Sequence, residues 1–409
     1  MAVLAAVFLC AGLVLGIGGS LAGQPRPPVA TVTAPTASRT LVGPAGVAGH
    51  DAGRLAIERG SELAARTERP RRGSLTVAVT GDLLPHSPVV AQARANAQGT
   101  RAEYDFRPML APVRPLLRSA DLALCHLEVP LSSDNSDLSS YPVFNAPREL
   151  GAALADAGYD GCSTASNHSY DQGSEGVRNT LAVLDEAGVG HTGTARSREE
   201  ARRQRLYEVN GVTIAHLSYA TWLNGFTLPA DRPWLVAQAE VARIRADARR
   251  ARHAGAEFVI VSLHWGAEYV AEPTAEQRQL AERLAASQLI DLLVGHHAHV
   301  VQAVERVRGK LVIFGLGNFL SNQSAACCPV ATQDGVIVQL TIKEQPRRGA
   351  FRVTRVRSVP TFVDRPGYRI LAVHRALRDG GTDPALLPLL QASLQRTTDA
   401  VGTVSEVAR

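Results

Sequence analysis

Residues 290–302 read Ile-Asp-Leu-Leu-Val-Gly-His-His-Ala-His-Val-Val-Gln, an apolar run that ends in three histidines. The run from Ile290 to Val294 is typical of a buried strand. His297 and His299 alternate, so in an extended backbone both side chains point to the same side. Hydrophobic packing gives no reason to place so many titratable groups directly after a buried strand. The stretch therefore predicts a strand whose carboxyl end carries a functional site.

Four other apolar runs end in polar side chains in the same way. Leu75 to Thr80 stops at Gly81-Asp82, Leu122 to Cys125 runs into His126-Leu127-Glu128, Tyr159 to Ser163 leads to Ser166-Asn167-His168 and then Asp171, and Glu257 to Leu263 delivers His264. Helical patterns around residues 177–184 and 241–251 separate these runs. The alternation predicts an α/β domain. In open α/β sheets, ligands bind at the carboxyl ends of the strands.

The polar side chains at these strand ends have the chemistry of metal ligands. Carboxylate, amide and imidazole groups without thiolate suit Mn, Fe or Zn. The candidate ligands are Asp82, His86, Glu128, Asn167, His168, Asp171, His264, His297 and His299. This set exceeds what one tetrahedral ion uses, so we expect two divalent metal ions about 3.5–4 Å apart.

The order of these motifs resembles that of a known family. The series is Gly81-Asp82, Leu127-Glu128, Asn167-His168 with Asp171-Gln172-Gly173, residues 264–269 (His-Trp-Gly-Ala-Glu-Tyr), residues 295–302 and residues 315–319 (Gly-Leu-Gly-Asn-Phe). It is similar to the CapA family of bacterial capsule-synthesis or poly-γ-glutamate-synthesis proteins, whose domain belongs to the calcineurin-like metallophosphatase superfamily. The resemblance runs from about Leu75 to Leu340. It implies an α/β fold, a four-layer α/β-β/α sandwich with two mixed sheets flanked by helices.

The resemblance also implies roles for individual residues. The metal ligands would be Asp82, Glu128 as the bridging carboxylate, Asn167, His264, His297 and His299, and the catalytic residues His168 and Asp171. Further candidates are His86, His296, Glu268 and Asn318. The chain departs from the family pattern at three positions: His126 and Ser166 each replace an Asn, and Ala298 replaces a Pro.

The sequence divides into four segments. Residues 1–23 include 21 uncharged positions, long enough to cross a bilayer, and predict a signal anchor or a signal peptide. Residues 24–73 are a Pro-, Ala- and Thr-rich linker and an Arg-rich stalk. Residues 74–345 are the predicted domain. Residues 346–409 are a C-terminal extension that packs on it, with a strand pattern at residues 351–359 and a helix at residues 384–394. We therefore expect a single-pass membrane protein with an extracytoplasmic domain, or a secreted one if the leader is cleaved.

The composition excludes some classes of function. The chain carries 43 basic and 38 acidic residues, a net charge of +5, and hydrophobic residues make up 45%. The basic residues are spread along the chain without an aromatic-rich motif, so we expect no nucleic-acid partner. Two Arg-rich stretches, residues 196–205 and 243–252, are interpreted as solvated helix faces, the alternative being a groove for an anionic polymer.

The five cysteines do not form a disulfide scaffold. A bridge between Cys125 and Cys162 on adjacent strands is left open. Cys327 and Cys328 are sequence neighbours, which can bridge each other only with backbone distortion.

Three functions remain open at the level of sequence. The first is an anchored component of capsule or poly-γ-glutamate synthesis or export, in contact with an anionic polymer and a membrane synthase complex. The second is a metal-dependent hydrolase of a small phosphoester or a related bond. The third is a metal-binding domain without catalysis.

Overall fold

The computed structural model describes residues 74–345 and 350–408. The predicted leader, linker and stalk, residues 1–73, lie outside the described residues. Within the two described ranges, no helix combines the length and the apolar character needed to cross a membrane.

Strands and helices follow one another along the described chain. The strands are β1 Leu75–Leu84, β2 Leu122–Leu127, β3 Gly161–Ser163, β4 Gly190–Thr192, β5 Arg205–Val209, β6 Val212–Ala220, β7 Phe258–His264, β8 Leu292–His296, β9 Val304–Val307, β10 Lys310–Ile313, β11 Asn318–Ser321, β12 Asp334–Glu344, β13 Phe351–Asp364, β14 Arg369–Ala372 and β15 Glu406–Val407. The helices are α1 Ser87–Asn96, α2 Arg107–Leu110, α3 Arg114–Arg118, α4 Glu149–Ala157, α5 Gly173–Glu186, α6 Arg198–Arg202, α7 Val241–His253, α8 Ala275–Ala285, α9 Val373–Ala376 and α10 Leu387–Val401.

The strands form two mixed sheets. The first has the order β14-β13-β12-β1-β2-β3-β4, with β11 added beside β1 and β15 beside β13. The second has the order β5-β6-β7-β8-β10-β9. Strands β1, β2, β3 and β4 run parallel to their neighbours in that order, and so do β6, β7 and β8, so their carboxyl ends lie together within each sheet.

Three hydrophobic clusters show how the layers pack. One cluster joins the first sheet to helices α1 to α5, including Phe106 and Leu154. A second contains residues of both sheets, such as Val77 and Ile260, and so fills the space between them. A third joins the second sheet to α7 and α8 through residues such as Ile244. The described chain therefore stacks helices, sheet, sheet and helices.

Each of the five apolar runs forms a strand, but their ends differ from the sequence prediction. Strand β1 continues past Thr80 to Leu84, because Asp82 and the residues after it pair with β11. The predicted strand at residues 351–359 continues to Asp364 as β13, which pairs with β12 along its length. The predicted helix at residues 384–394 begins later, at Leu387, after a short 3-10 turn.

Candidate metal centre

The register of the strands brings the predicted ligands together. Asp82 of β1 lies opposite His126 of β2, and His264 of β7 lies opposite His296 of β8. The side chains at these ends meet across the gap between the two sheets: His296 Nδ1 lies 3.2 Å from Asp82 Oδ1. The site therefore forms where the carboxyl ends of both sheets face each other.

Two glycines allow β1 to approach the segment before β11. A Cβ atom at Gly81 would lie 2.0 Å from the carbonyl oxygen of Gly317, a distance that no side chain tolerates. The close contact lets the Asp82 amide donate a hydrogen bond of 2.9 Å to Gly317 O. It also places Asn318 opposite Asp82 in the strand register. The Gly-Asp and Leu-Gly-Asn-Phe motifs are thus parts of one structural contact.

Glu128 lies at the middle of the site. Its side chain is fully buried, and neither carboxylate oxygen has a hydrogen-bond partner among the described residues. Its Oε1 atom lies 3.9 Å from His264 Nε2 and 3.7 Å from His299 Nε2. A buried carboxylate without partners is costly, and such groups usually belong to a site that binds something.

On one side of Glu128 are Asp82 and His299. His299 Nδ1 lies 3.3 Å from Asp82 Oδ2 and 3.0 Å from Asn318 Oδ1. The backbone amide of His297 also donates to Asp82 Oδ2, at 3.1 Å. Asp82, Glu128 and His299 each offer an atom to a common point and could hold a metal ion.

On the other side of Glu128 are His264 and His297, which with Glu128 form a second group that could hold an ion. His264 Nε2 lies 2.8 Å from Asn167 Oδ1. The Nδ1 atom of His297 is buried and has no hydrogen-bond partner among the described residues. Glu128 therefore belongs to both groups.

His126 contacts the second group through His264. Its Nε2 lies 3.0 Å from His264 Nδ1, and its Nδ1 lies 2.8 Å from Ser163 Oγ. Its ring stacks on that of His296 with a centroid separation of 4.0 Å. His126 thus fixes the orientation of His264, the arrangement by which the partners of a ligand tune a metal site.

Burial and mutual charge set the protonation of the carboxylates and of His299. Burial opposes ionisation of Asp82, but hydrogen bonds from His296 and His299 outweigh it and hold the pKa of its carboxyl well below the usual value. Burial raises the pKa of Glu128 well above its usual value, against the attraction of His299. Burial alone would lower the pKa of His299, but Glu128 and Asp82 raise it to about 9.

The other two candidate imidazole ligands, His264 and His297, have lowered pKa values and are therefore neutral at pH 7. Burial and the charge of His299 lower the pKa of His297 to about 3, and burial together with His297 lowers that of His264. Neutral imidazole is the form that binds metal ions, whereas the proton on His299 must leave before that residue can bind one.

His168 and Asp171 form a pair beside the ligand groups. His168 Nδ1 lies 2.7 Å from Asp171 Oδ2, which also accepts a hydrogen bond of 2.7 Å from the backbone amide of Phe144. The Nδ2 atom of Asn224 lies 3.3 Å from the same His168 nitrogen, while Asn167 Nδ2 donates to Asn224 Oδ1 at 3.1 Å. Asp171 thus orients His168, the residue that follows the predicted ligand Asn167.

The other candidate residues from the sequence, His296, Glu268 and His86, differ in whether they belong to a group that could hold a metal ion. His296 belongs to a group with Asp82 and His126, and the exposed Glu268 belongs to one with His297 and His299. His86 is not part of any ligand group found within residues 74–345 and 350–408. Its Nδ1 atom accepts a hydrogen bond from the Asn322 amide, at 3.3 Å.

Aromatic side chains lie at the mouth of the centre. The rings of Trp222 and His297 meet edge to face with centroids 5.5 Å apart, and those of Tyr269 and His299 are 6.0 Å apart. Trp222 and Tyr269 are both exposed. His297, His299 and Tyr269 have positive φ angles of 92°, 56° and 65°. Such angles are strained for residues other than glycine and tend to occur at functional sites.

Cys125 and Cys162 lie directly opposite each other on β2 and β3 and form a disulfide. Cα atoms 4.4 Å apart are within the range that a disulfide spans. The bond links the two strands that carry His126 and Ser163. The pairing that the sequence left open is therefore present.

Arginines of both Arg-rich stretches form ion pairs with neighbouring carboxylates. Arg196, Arg250 and Arg252 all form ion pairs within the described chain. Residues 243–252 lie on α7, as predicted, whereas the first stretch is only in part helical, because α6 ends at Arg202 and β5 begins at Arg205. These pairs favour the interpretation as solvated faces.

Sequence reasoning missed two contributors to the site. His126 stands immediately before the Leu-Glu motif and is absent from the candidate ligands, although its position at the end of a buried strand is the same signal that indicates the other site residues. Asn224 lies in a loop between β6 and α7 with no motif around it, so no sequence signal indicated it.

The described chain is similar to several solved structures, but only at low TM-scores and low sequence identity. An NAD nucleotidase from Haemophilus influenzae aligns with a TM-score of 0.42 and 12% identity, over 82% of this chain and 64% of that one. A calcineurin-like phosphoesterase from Bacillus subtilis aligns with a TM-score of 0.43 and 13% identity, over 80% and 98%.

The relatives found by sequence share more identity with this chain than these two solved structures do. The PGA biosynthesis protein CapA of Bacillus subtilis is 29% identical over 248 residues, 60% of this chain and 63% of that protein. The capsule biosynthesis protein CapA of Bacillus anthracis is 25% identical over 293 residues, 69% and 68%. The match therefore spans about two thirds of the length of each relative.

A family profile covers the same region. Residues 76–323, which carry all the ligand groups described above, match the profile of the bacterial capsule synthesis protein PGA_cap. The match covers more than half of the 409 residues. The chain is therefore a member of the PGA_cap family of bacterial capsule synthesis proteins.

Proposed function

We propose that this protein acts in the synthesis or export of a poly-γ-glutamate capsule and that its domain holds a pair of divalent metal ions. Membership of the PGA_cap family and the names of the two CapA relatives support the first part. The second part rests on one observation: Glu128 is buried and belongs to two groups that could each hold an ion, and neither of its carboxylate oxygens has a hydrogen-bond partner within residues 74–345 and 350–408.

The residues present fit a pair of ions of the Mn, Fe or Zn class. Asp82, Glu128 and His299 would hold one ion, and Glu128, His264, His297 and Asn167 the other. The donor set contains carboxylate, imidazole and amide groups and no thiolate, as these metals prefer. Bound ions would give partners to His297 Nδ1 and to the oxygens of Glu128, none of which has a hydrogen-bond partner in the described part of the chain. Bound ions of this kind activate water and neutralise charge that develops on a substrate oxygen.

A second candidate function, hydrolysis of a phosphoester or a related bond, is favoured by the His168–Asp171 pair. Asp171 fixes the His168 ring through Nδ1 at 2.7 Å, which leaves Nε2 to hold a proton for transfer. Asn224 limits the movement of the same ring. A positioned histidine of this kind contributes to catalysis as a general acid or base. Binding metal without a hydrolytic step would not need the pair.

We further propose that the domain lies outside the cytoplasm, attached through the N-terminal segment or secreted, where an anionic polymer and a membrane synthase complex would meet it. The aromatic side chains Trp222 and Tyr269 at the mouth of the centre would contact the polymer chain or the phosphoester.

The experiment is a hydrolysis assay with purified protein, with and without added Mn. The substrates are chromogenic phosphoesters and poly-γ-glutamate, and the variants are His264→Ala, His297→Ala and His168→Ala. His253→Ala is the matched control, because His253 is an exposed residue at the end of α7. Hydrolysis should disappear in the first two variants together with bound metal.

The variant His168→Ala distinguishes hydrolysis from metal binding without hydrolysis. His168→Ala should retain metal and lower the hydrolysis rate about 10²–10⁴-fold if His168 transfers a proton. Metal binding without hydrolysis of any substrate would reject the hydrolase and leave a binding role in capsule synthesis. Absence of bound metal in Mn would reject the centre itself.

A further inference from the structure

Two neighbouring cysteines lie in the loop that follows β11. Cys327 is exposed, Cys328 is half-buried, and their Sγ atoms are 2.6 Å apart. The backbone amides of both residues donate to the carbonyl oxygen of Ser324, at 3.0 and 2.9 Å, so the turn that holds the two thiols together is itself hydrogen-bonded. The metal centre does not use either thiol as a ligand.

A series of side-chain contacts runs from Cys328 to the centre. Burial raises the pKa of the Tyr269 hydroxyl above its usual value and the Cys328 thiol beside it raises that pKa further, so the two side chains are neighbours. Gln323 Nε2 donates to the Tyr269 hydroxyl at 3.1 Å, and Asn318 Nδ2 donates to Gln323 Oε1 at 2.9 Å. Asn318 Oδ1 in turn lies 3.0 Å from His299 Nδ1. Each step joins side chains by direct contact, and the last one holds a metal ligand.

Tyr269 also contacts the centre directly. Its ring lies 6.0 Å from that of His299, and its amide donates to Ala298 O at 2.8 Å. Its backbone has a positive φ of 65°. The side chain is partly exposed, so its position depends on the contacts of its hydroxyl with Gln323 and Cys328. A change at Cys328 therefore reaches His299 through both the ring and the hydrogen bonds.

We propose that Cys327 and Cys328 are a reversible redox-modification site, at which a disulfide between the two residues withdraws Cys328 from Tyr269 and weakens metal binding at the centre. Formation of the disulfide stands independently of the metal. The effect on the centre rests on the metal site proposed above.

The oxidant is a low-molecular-weight disulfide. The Cys327 thiolate attacks one of its sulfurs and releases one thiol, which leaves a mixed disulfide on Cys327. Cys328 then loses its proton and attacks Cys327 Sγ, which releases the second thiol. Two protein thiols are oxidised by two electrons and one disulfide is reduced to two thiols. Cys327 is the first nucleophile because its side chain is exposed. Burial and the neighbouring Cys327 raise the pKa of the half-buried Cys328 thiol to about 11.

The disulfide would be reversible for a geometric reason. Consecutive Cα atoms are about 3.8 Å apart, closer than the 4.4–6.8 Å that disulfides usually span. A disulfide between neighbours is therefore strained, and strained, exposed disulfides are reduced easily. Such a bond responds to the surrounding thiol–disulfide balance rather than remaining as a permanent crosslink.

The experiment uses the full chain equilibrated with mixtures of reduced and oxidised glutathione. Free thiols are alkylated and the peptide with Cys327 and Cys328 is analysed by mass spectrometry. We expect both alkyl groups to disappear together as the oxidised fraction rises. In Cys327→Ser and Cys328→Ser, the remaining cysteine should carry either an alkyl group or glutathione, never an internal bond.

The affinity for Mn is then measured by chelator competition in the reduced and oxidised protein. We expect binding to be about three- to tenfold weaker after oxidation, less than the 10–100-fold that loss of a ligand's direct partner costs. Cys327→Ser should show no difference between the two conditions. Tyr269→Phe in reducing buffer should resemble the oxidised wild type, because it lacks the hydroxyl that Gln323 and Cys328 contact.

Three results would overturn the proposal in distinct ways. If both cysteines stay alkylated in fully oxidised glutathione, the modification site is rejected whatever the metal does. If the disulfide forms but Mn affinity changes less than twofold, the link through Tyr269 is rejected. If neither form binds Mn, the proposed metal function fails together with that link, while the alkylation result alone decides the modification site.

Discussion

Replacement of Glu128 by glutamine tests the shared carboxylate most sharply. Gln keeps the size of the side chain but removes the charge and one of the oxygens that face the two ligand groups. In the metal-free protein the carboxyl is buried, and neither oxygen has a partner among the described residues. Since no hydrogen bond is lost, we expect the free energy of unfolding without metal to change by no more than about 1 kcal/mol.

We expect Glu128→Gln to have a lower free energy of unfolding than the wild type only when metal is present. An ion at 100 times its Kd stabilises the wild type by about 2.7 kcal/mol. Glu128 contributes to both ligand groups, so its loss should weaken binding about 100-fold or more. At the same metal concentration the variant would then gain only about 0.4 kcal/mol. The variant should therefore lose about 2 kcal/mol of metal-dependent stability while its intrinsic stability is kept.

Asp334→Asn is the matched control for the same assay. Asp334 is also a buried carboxylate, but it is fully hydrogen-bonded, to Arg396 at 2.6 and 2.9 Å. Its substitution should lower the free energy of unfolding by about 1.5–3 kcal/mol without metal and leave the gain from metal intact. The assay is urea unfolding in chelator and in Mn. An equal metal-dependent gain in Glu128→Gln and wild type would refute the reasoning.

Three further predictions follow from contacts of the centre. His126→Ala removes the partner that lies 3.0 Å from His264 Nδ1. It should weaken the affinity for Mn about 10–100-fold, measured by chelator competition. Unchanged affinity would show that this contact does not orient His264. The pKa of His299 is raised to about 9 and that of Glu128 well above its usual value, so metal must displace protons from these groups at neutral pH. Apparent Mn affinity should therefore rise by at least about tenfold per pH unit up to pH 9, and a flat profile by calorimetry would contradict these protonation states. The double variant Cys125→Ser and Cys162→Ser removes a crosslink between residues that are 37 positions apart in the sequence. It should lower the free energy of unfolding by about 2–4 kcal/mol. Equal urea midpoints for the variant and the wild type would argue against the bond.

The strands and the ligand types of the centre could be predicted because they are local properties of the sequence. Apolar runs predict buried strands, and polar residues at their ends predict a site there. The structure places Asp82, Glu128 and His299 in one group that could hold a metal ion, and Glu128, His264 and His297 in a second, so that Glu128 is shared. Whether these residues bind metal stays a prediction.

The contacts between distant strands could not be predicted in this way. Asp82 lies opposite Asn318 because Gly81 and Gly317 allow their backbones to touch, and neither glycine carries a signal of its partner. The same holds for His126, whose effect on His264 depends on how close the two sheets approach. The contact of Tyr269 with Cys328 joins two loops, whose conformations no periodic pattern indicates.

Metal content is the most direct measure of the central claim. The full chain and Glu128→Gln are purified in Mn-supplemented medium, dialysed, and analysed by inductively coupled plasma mass spectrometry. The account predicts about two divalent ions per wild-type chain and less than one in the variant. A wild-type chain without bound divalent ion, or a variant that retains the full content, would contradict it.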